Sequence, residues 1–318
     1  MKEAMTLSAK QGLPAWWPVT VLLFSASLWG LSWLPLKGFA GVGVHGPVLV
    51  LLTYGVVGLF GLPWLIRQRA QWRGETRLLL AVAFFGGWAN TAFVNALVIG
   101  DVVRVMLLFY LSPVWAVLGG RLFLGEAVSR RRGLALVLAL TGAFLVVGGF
   151  DAFNAALSAA DLLALSAGLA FAGNNLVARA AQTIPTPSKT IAVFAGCGVA
   201  SCLMLLVLQA TGAEHPSWPT PTLPLAAALV AYAFCWTVLA TATWQYGVTH
   251  MEAGRSGVIM IAELLVGLVS AMLIGGEVLS LHEWIGGALI TAAALLEATD
   301  TTPASTQPSR HLSQEKHT

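Results

Sequence analysis

Leu122-Phe-Leu-Gly-Glu126-Ala-Val-Ser129 returns 151 positions later as Leu273-Ile-Gly-Gly-Glu277-Val-Leu-Ser280. The same offset carries Asp101 onto Glu252 and Arg104 onto Arg255, and it lays the third and fourth apolar stretches over the eighth and ninth. A single shared Gly-Glu pair would mean little, but a register held across two stretches and their loops marks an internal repeat. Apolar windows fall at about 18–37, 46–66, 77–99, 102–124, 132–150, 161–181, 190–210, 223–247, 255–276 and 281–298. Each holds roughly 18–25 residues, enough at ~1.5 Å per residue to span ~30 Å of hydrocarbon. Five windows fall in each copy. Five is odd, so the second copy enters the membrane from the opposite side, the arrangement in which one half of a transporter rocks against the other around a midplane site. The expected fold is an all-α integral membrane protein with ten transmembrane helices in two inverted five-helix repeats. The expected divisions are a cytoplasmic segment 1–17, repeats over 18–150 and 151–298, and a polar tail 299–318 too rich in Thr, Ser, Pro and Gln to pack.

Composition and charge agree. Of 318 residues 57% are hydrophobic and 10% charged, against ~25% charged in a soluble domain, too few to cover a water-facing surface. If the N-terminus is cytoplasmic and the chain alternates sides at each window, fifteen of the seventeen basic residues fall inside and only Lys37 and Arg104 outside. That bias predicts a multi-pass protein of a bacterial-type plasma (inner) membrane with both termini in the cytoplasm. Trp16, Trp17, Trp64, Trp72, Trp218 and Trp284 stand at window ends, where indoles suit the headgroup layer. The first apolar run, of about 19 residues, exceeds a signal-peptide core and reads as a retained helix.

The motifs now resemble the drug/metabolite transporter superfamily, specifically its ten-helix EamA type. Leu28-Trp29-Gly30-Leu31-Ser32-Trp33 carries the resemblance in the first span. Tyr110-Leu111-Ser112-Pro113 running into Leu122-Phe123-Leu124-Gly125-Glu126 carries it in the fourth, and Glu263-Leu264-Leu265 leading to Gly275-Gly276-Glu277 in the ninth. Leu264 stands where many members have a proline matching Pro113. The resemblance covers residues 17 to 297 and implies a secondary transporter, commonly an exporter of amino acids or related metabolites, with no nucleotide-binding domain.

Glu263 is the sharpest candidate for chemistry. A carboxylate about eight residues into the ninth span must be protonated, paired or wetted, which suits a proton carrier; a structural pairing with Arg255, two turns away, is the plainer alternative. Cavity candidates are Trp29 and Ser32 in the first span, Trp88 and Asn95 in the third, and Tyr110 in the fourth. The sixth span adds Asn174 and Asn175, and the eighth Tyr232, Trp236 and Trp244. Amides, hydroxyls and indoles on helical stripes should point inward, since lipid leaves them unsatisfied, and together they would give an aromatic wall with a few hydrogen-bonding groups. The plainer alternative is that they hold helices together. Pro113 frees the carbonyl of Phe109 and is a candidate hinge. Asp101 with Arg104, and Glu252 with Arg255, form acid-x-x-Arg pairs at opposite ends and are gate candidates. Asp161 reads as an N-terminal cap of the sixth span.

Other chemistries find no pattern. Cys197, Cys202 and Cys235 lie inside apolar stretches as packing residues, the six histidines show no metal spacing, and there is no G-x-x-x-x-G-K loop. No metal or cofactor is expected. The expected partners are a small-molecule substrate and the lipid bilayer, not nucleic acid, with a homodimer left open. The expected activity is alternating-access export with proton coupling at Glu263. The alternatives are an exporter of drugs or lipophilic cations, a membrane-embedded lipid-modifying enzyme, and a non-transporting receptor or scaffold.

Overall fold

The computed structural model describes residues 17–112, 114–115, 118, 130–147, 157–181, 183–212, 218–250 and 253–298. Among these residues all regular structure is helical. The first apolar window is two helices, α1 (Trp17–Gly30) and α2 (Trp33–Gly41), with a turn at Leu31 and Ser32. Pro35 causes the break: it has no N–H to give the Leu31 carbonyl, and its ring crowds that carbonyl. The backbone resets there. The Ser32 hydroxyl donates to the Trp29 carbonyl at 2.6 Å, and the Leu34 N–H takes the Leu31 carbonyl at 3.1 Å.

The second window begins with α3 (Gly46–Val50), continues through a π-helical turn at Leu51–Gly55 and ends with α4 (Val56–Arg67). Pro47 sits in the first turn of α3, where its missing N–H is harmless. A short α5 (Arg69–Trp72) leads into α6 (Thr76–Ile99), and α7 (Val102–Phe109) and α8 (Arg130–Val147) follow. The second half comprises α9 (Ala159–Ala180), α10 (Thr186–Thr211), α11 (Leu223–Tyr232), α12 (Leu239–His250), α13 (Ala253–Leu273) and α14 (Leu281–Ala298). A second π-helical turn, Ala233–Val238, joins α11 to α12.

Capping chemistry sets several of these starts. Asp101 accepts the Arg104 N–H at 2.9 Å and opens α7. Thr222 caps α11, and Ser280 with Glu283 binds the first turn of α14. At α9 the sequence reading is corrected: Ser158 is the cap, and Asp161 is its reciprocal partner three residues on. A serine hydroxyl and a carboxylate spaced this way satisfy two otherwise orphaned N–H groups together.

Six described passages are long and apolar enough to cross a membrane: Val19–Gly41, Gly46–Arg67, Arg69–Ile99, Ala159–Ala178, Thr186–Thr211 and Leu223–Trp244. Gly133–Val146 and Ala262–Leu273 are shorter apolar helices. Phe60, Phe84, Leu203 and Leu206 are exposed on the outer surface, as acyl chains require. α7 sits at the centre, every residue from Val102 to Phe109 buried except Arg104.

Glycine crossings fix how the halves meet. On α8 and α14, Gly142 and Gly286 face each other so closely that a methyl on either would lie 2.6 Å from the other's carbonyl oxygen. Gly142 also nears Ile290, and Gly286 nears Val146, so the two helices run antiparallel. A methyl at Gly55 would lie 3.1 Å from Gly198 Cα and one at Gly61 would meet the Ile191 side chain, so the second passage runs antiparallel to α10. By contrast α1 and α2 run parallel to α13: Gly30 lies on Gly267, and the Trp33 indole donates to Ser270 Oγ at 2.9 Å. α7 likewise runs parallel to α9, with Arg104 on Asp161 and Phe109 on Gly168.

Candidate functional site

A pocket opens where α1, α6, α7, α9, α10, α12 and α13 converge. Its wall is aromatic: Trp29, Phe93, Phe109, Phe171 and Trp244. The rings form a continuous chain, Phe93 to Phe109 at 4.4 Å between centroids, Phe109 to Phe171 at 5.3 Å, and Phe171 to Trp244 at 6.2 Å. Gly86, Ala89 and Val193 keep the opposite side low. Among the described residues, the polar groups are Asn90, Asn174, Thr241 and Glu263, and no Lys, Arg or His lines the pocket.

Each polar group is positioned by its helix. Asn90 Nδ2 is tied back to the Gly86 carbonyl at 2.8 Å. Asn174 Oδ1 and Thr241 Oγ1 are buried with no hydrogen-bond partner. A buried acceptor left unmade costs about 1–3 kcal/mol, so both are groups that a ligand would satisfy. The Glu263 residue is 5% exposed, and its carboxyl is faced by the Tyr110 hydroxyl from α7.

Of the residues singled out from the sequence, Trp29, Asn174, Trp244 and Glu263 come together in this pocket, with Tyr110 directly behind Glu263. Ser32 is occupied by the Trp29 carbonyl in the α1–α2 break. The Trp88 indole donates to Ser166 Oγ at 3.2 Å, and Asn95 Nδ2 donates to the Thr91 carbonyl at 2.7 Å. Tyr232 packs edge-on against Phe39 at 5.4 Å and beside Trp236 at 6.4 Å. Asn175 is half-buried next to Asn174. None of these lines the pocket. Pro113, Glu126 and Glu252 lie outside the described residues, as does the side chain of Arg255.

A second constellation sits at one end of the bundle. Arg104 Nε and Nη2 donate to the two oxygens of Asp161 at 2.7 and 2.9 Å, and Nη1 donates to the Val146 carbonyl at 3.2 Å. Glu277 accepts the N–H groups of Val102 and Val103, both at 3.1 Å, and pairs with Lys37 Nζ at 3.3 Å. The carboxylate thus sits on the N-terminus of α7, where unpaired N–H groups and the helix dipole favour negative charge. The network joins the ends of α2, α8 and α13 to the starts of α7 and α9. The local Asp101–Arg104 ion pair expected from spacing is replaced: Asp101 caps the helix backbone while the Arg104 guanidinium reaches across to α9. Spacing within one helix could not reveal the partner, because Asp161 is 57 residues away. At ~1.5 Å per residue, Phe109 lies about 8–10 Å and Asn174 about 20 Å along their helices from this layer.

The EamA-like transporter family profile matches residues 16–148 and again 158–298. The chain belongs to the EamA-like transporter family. It is a membrane transporter of that family, and its two matched repeats account for nearly all the helices described above. It is 27% identical over 259 residues to a riboflavin transporter of Rhizobium johnstonii, covering 76% of this chain and 77% of that one. It is 26% identical over 237 residues to an uncharacterized transporter of Archaeoglobus fulgidus, covering 74% and 80%. A solved crystal structure superposes with a TM-score of 0.54 at 20% identity, over 88% of this chain and 96% of the other, a likeness of fold.

Proposed function

We propose that this EamA-family protein moves a small metabolite out of the cell by alternating access around the aromatic pocket, with Glu263 exchanging the coupling proton. The observation that carries the reading is the position of Glu263: a buried carboxyl, backed by the Tyr110 hydroxyl, in a cavity whose walls come from both matched repeats. A carboxyl at that depth is expensive unless it does work. Ten crossings as two inverted halves, with both termini in the cytoplasm of a plasma membrane, complete the proposal. Its support is geometric. The second helices of the two repeats run antiparallel, as do the fifth, and α1 on α13 is answered by α9 on α7.

In this reading the charged network at Lys37, Arg104, Asp161 and Glu277 is the outer gate in its closed state. It lies on the side where the positive-inside bias places only two basic residues. The substrate enters from the cytoplasm, and opening the gate requires Glu277 to leave the α7 N-terminus.

The test begins with a substrate-panel efflux assay in a strain lacking the gene. The best substrate then goes to purified protein in proteoliposomes. Glu263→Gln should abolish transport driven by a pH gradient while leaving substrate exchange. Unchanged gradient-driven transport would remove Glu263 from coupling. A second reading, export of lipophilic cations, is favoured by the conjunction of aromatic faces with a carboxyl. Dyes of that class exchanging faster than any metabolite would establish it.

A further inference from the structure

The Glu263 pocket contains groups that choose a ligand as well as a group that moves a proton, and the following rests on the transport reading. We propose that the pocket takes a flat, carboxylate-free nitrogen heteroaromatic, stacked on the Phe109–Phe171–Trp244 wall, its N–H edge read by Asn174 and Thr241. Three observations converge on that class.

The wall is the first. Four rings follow one another at 4.4, 5.3 and 6.2 Å from Phe93 to Trp244, contributed by α6, α7, α9 and α12. The rings are tilted 38°, 55° and 59° to one another, so a flat ring system can stack on one face and meet the next ring by its edge, which rewards it over branched aliphatic ones.

The second is charge. Among the described residues the lining offers one acid and no basic side chain. An amino acid would bring a carboxylate into an aromatic cavity whose described lining holds no cation to meet it, and an unpaired buried charge is strongly disfavoured. The amino acids implied by the family resemblance therefore fit this cavity poorly, whereas an uncharged heterocycle meets no such penalty.

The third is the unmade hydrogen bonds. Asn174 Oδ1 and Thr241 Oγ1 are buried without partners, on α9 and α12, the two helices that also supply Phe171 and Trp244. An acceptor oxygen beside a stacking wall pairs with an N–H in the plane of a stacked ring. Sites that hydrogen-bond a ligand edge reject the analogue lacking it far more strongly than apolar sites reject a missing methylene.

The experiment uses the full chain, with equilibrium binding in detergent and counterflow in proteoliposomes run side by side. The probes are adenine and lumichrome, their fully N-methylated analogues, and phenylalanine and tryptophan as carboxylate-bearing aromatics. The N–H heterocycles should bind and drive counterflow, N-methylation should weaken binding roughly 10–100-fold, and the two amino acids should do neither. Asn174→Leu should erase the N–H preference while leaving the methylated analogues bound as in the wild type. If that variant does not fold, Thr241→Val asks the same question at the other group. Counterflow of phenylalanine or tryptophan in preference to the heterocycles would overturn the substrate class and leave the transport reading intact. Binding of heterocycles with no counterflow of any compound would sustain the class and remove the transport reading. A variant that keeps the full N–H preference would overturn the assignment of the edge to these residues.

Discussion

Replacing Glu277 by alanine should open the outer end of the transporter, and its structure sets the size of the effect. The carboxylate accepts two N–H groups at 3.1 Å from the first turn of α7. A hydrogen bond to a charged group contributes about 1.5–3 kcal/mol. The low end applies to each bond here, because the opened state would return the same groups to water. The Lys37 contact adds at most about 1 kcal/mol, because its side chain is 36% exposed. The closed state should therefore lose about 3 kcal/mol, a shift of roughly 100-fold in the closed-to-open ratio. Glu277→Gln keeps one acceptor and should shift the ratio about tenfold, and Lys37→Met fivefold or less. The assay is labelling by a membrane-impermeant thiol reagent, added outside, of a cysteine at Ala89 in the pocket. Cys197, Cys202 and Cys235 would be replaced first. Labelling rates should rank Glu277→Ala, then Glu277→Gln, then Lys37→Met, then wild type. Equal rates for Lys37→Met and Glu277→Ala would show that the α7 cap is not what holds this end shut.

Other predictions follow from the packing. A methyl at Gly196 would collide with the Ala83 backbone, so Gly196→Ala should destabilise by about 3 kcal/mol or more and cut the folded yield. Gly38→Ala meets open space inside α2 and should be neutral or stabilise by about 0.5–1 kcal/mol. Thermal melts followed by fluorescence size exclusion separate the two, and equal melts would contradict the observed crossing. Arg104→Lys keeps the charge but loses the two-pronged grip on Asp161, so it should destabilise by about 1–2 kcal/mol, with Arg104→Ala worse. A lysine variant melting like wild type would show that charge alone suffices there.

The six described passages long and apolar enough to cross a membrane fall in windows read from the sequence, because hydrocarbon thickness imposes their length. The sequence located pocket residues less well, for two physical reasons. α6 is buried on several faces by α9, α10 and α2, so its stripes look alike. Trp88 and Asn95 were legible as polar positions, yet the pocket uses the neighbouring stripe Gly86, Ala89, Asn90 and Phe93. In the eighth passage Trp244 lines the pocket as expected, joined by Thr241, while Tyr232 and Trp236 do not line it. The π-helical turn at Ala233–Val238 inserts a residue and rotates everything after it. Phe109 gave no signal, since an apolar ring facing a cavity looks in sequence like one facing lipid. The first window was read as one unbroken helix; its break at Leu31 and Ser32 follows from Pro35, whose clash falls four residues back.

The account depends on two copies of one helical unit lying upside down relative to each other. Single cysteines at Ser129 and Ser280, which close the two Gly-Glu motifs, test that directly when labelled from each side of sealed, oriented vesicles. Ser129 should react only from the cytoplasmic side and Ser280 only from the outside. Reaction of both from the same side would contradict it.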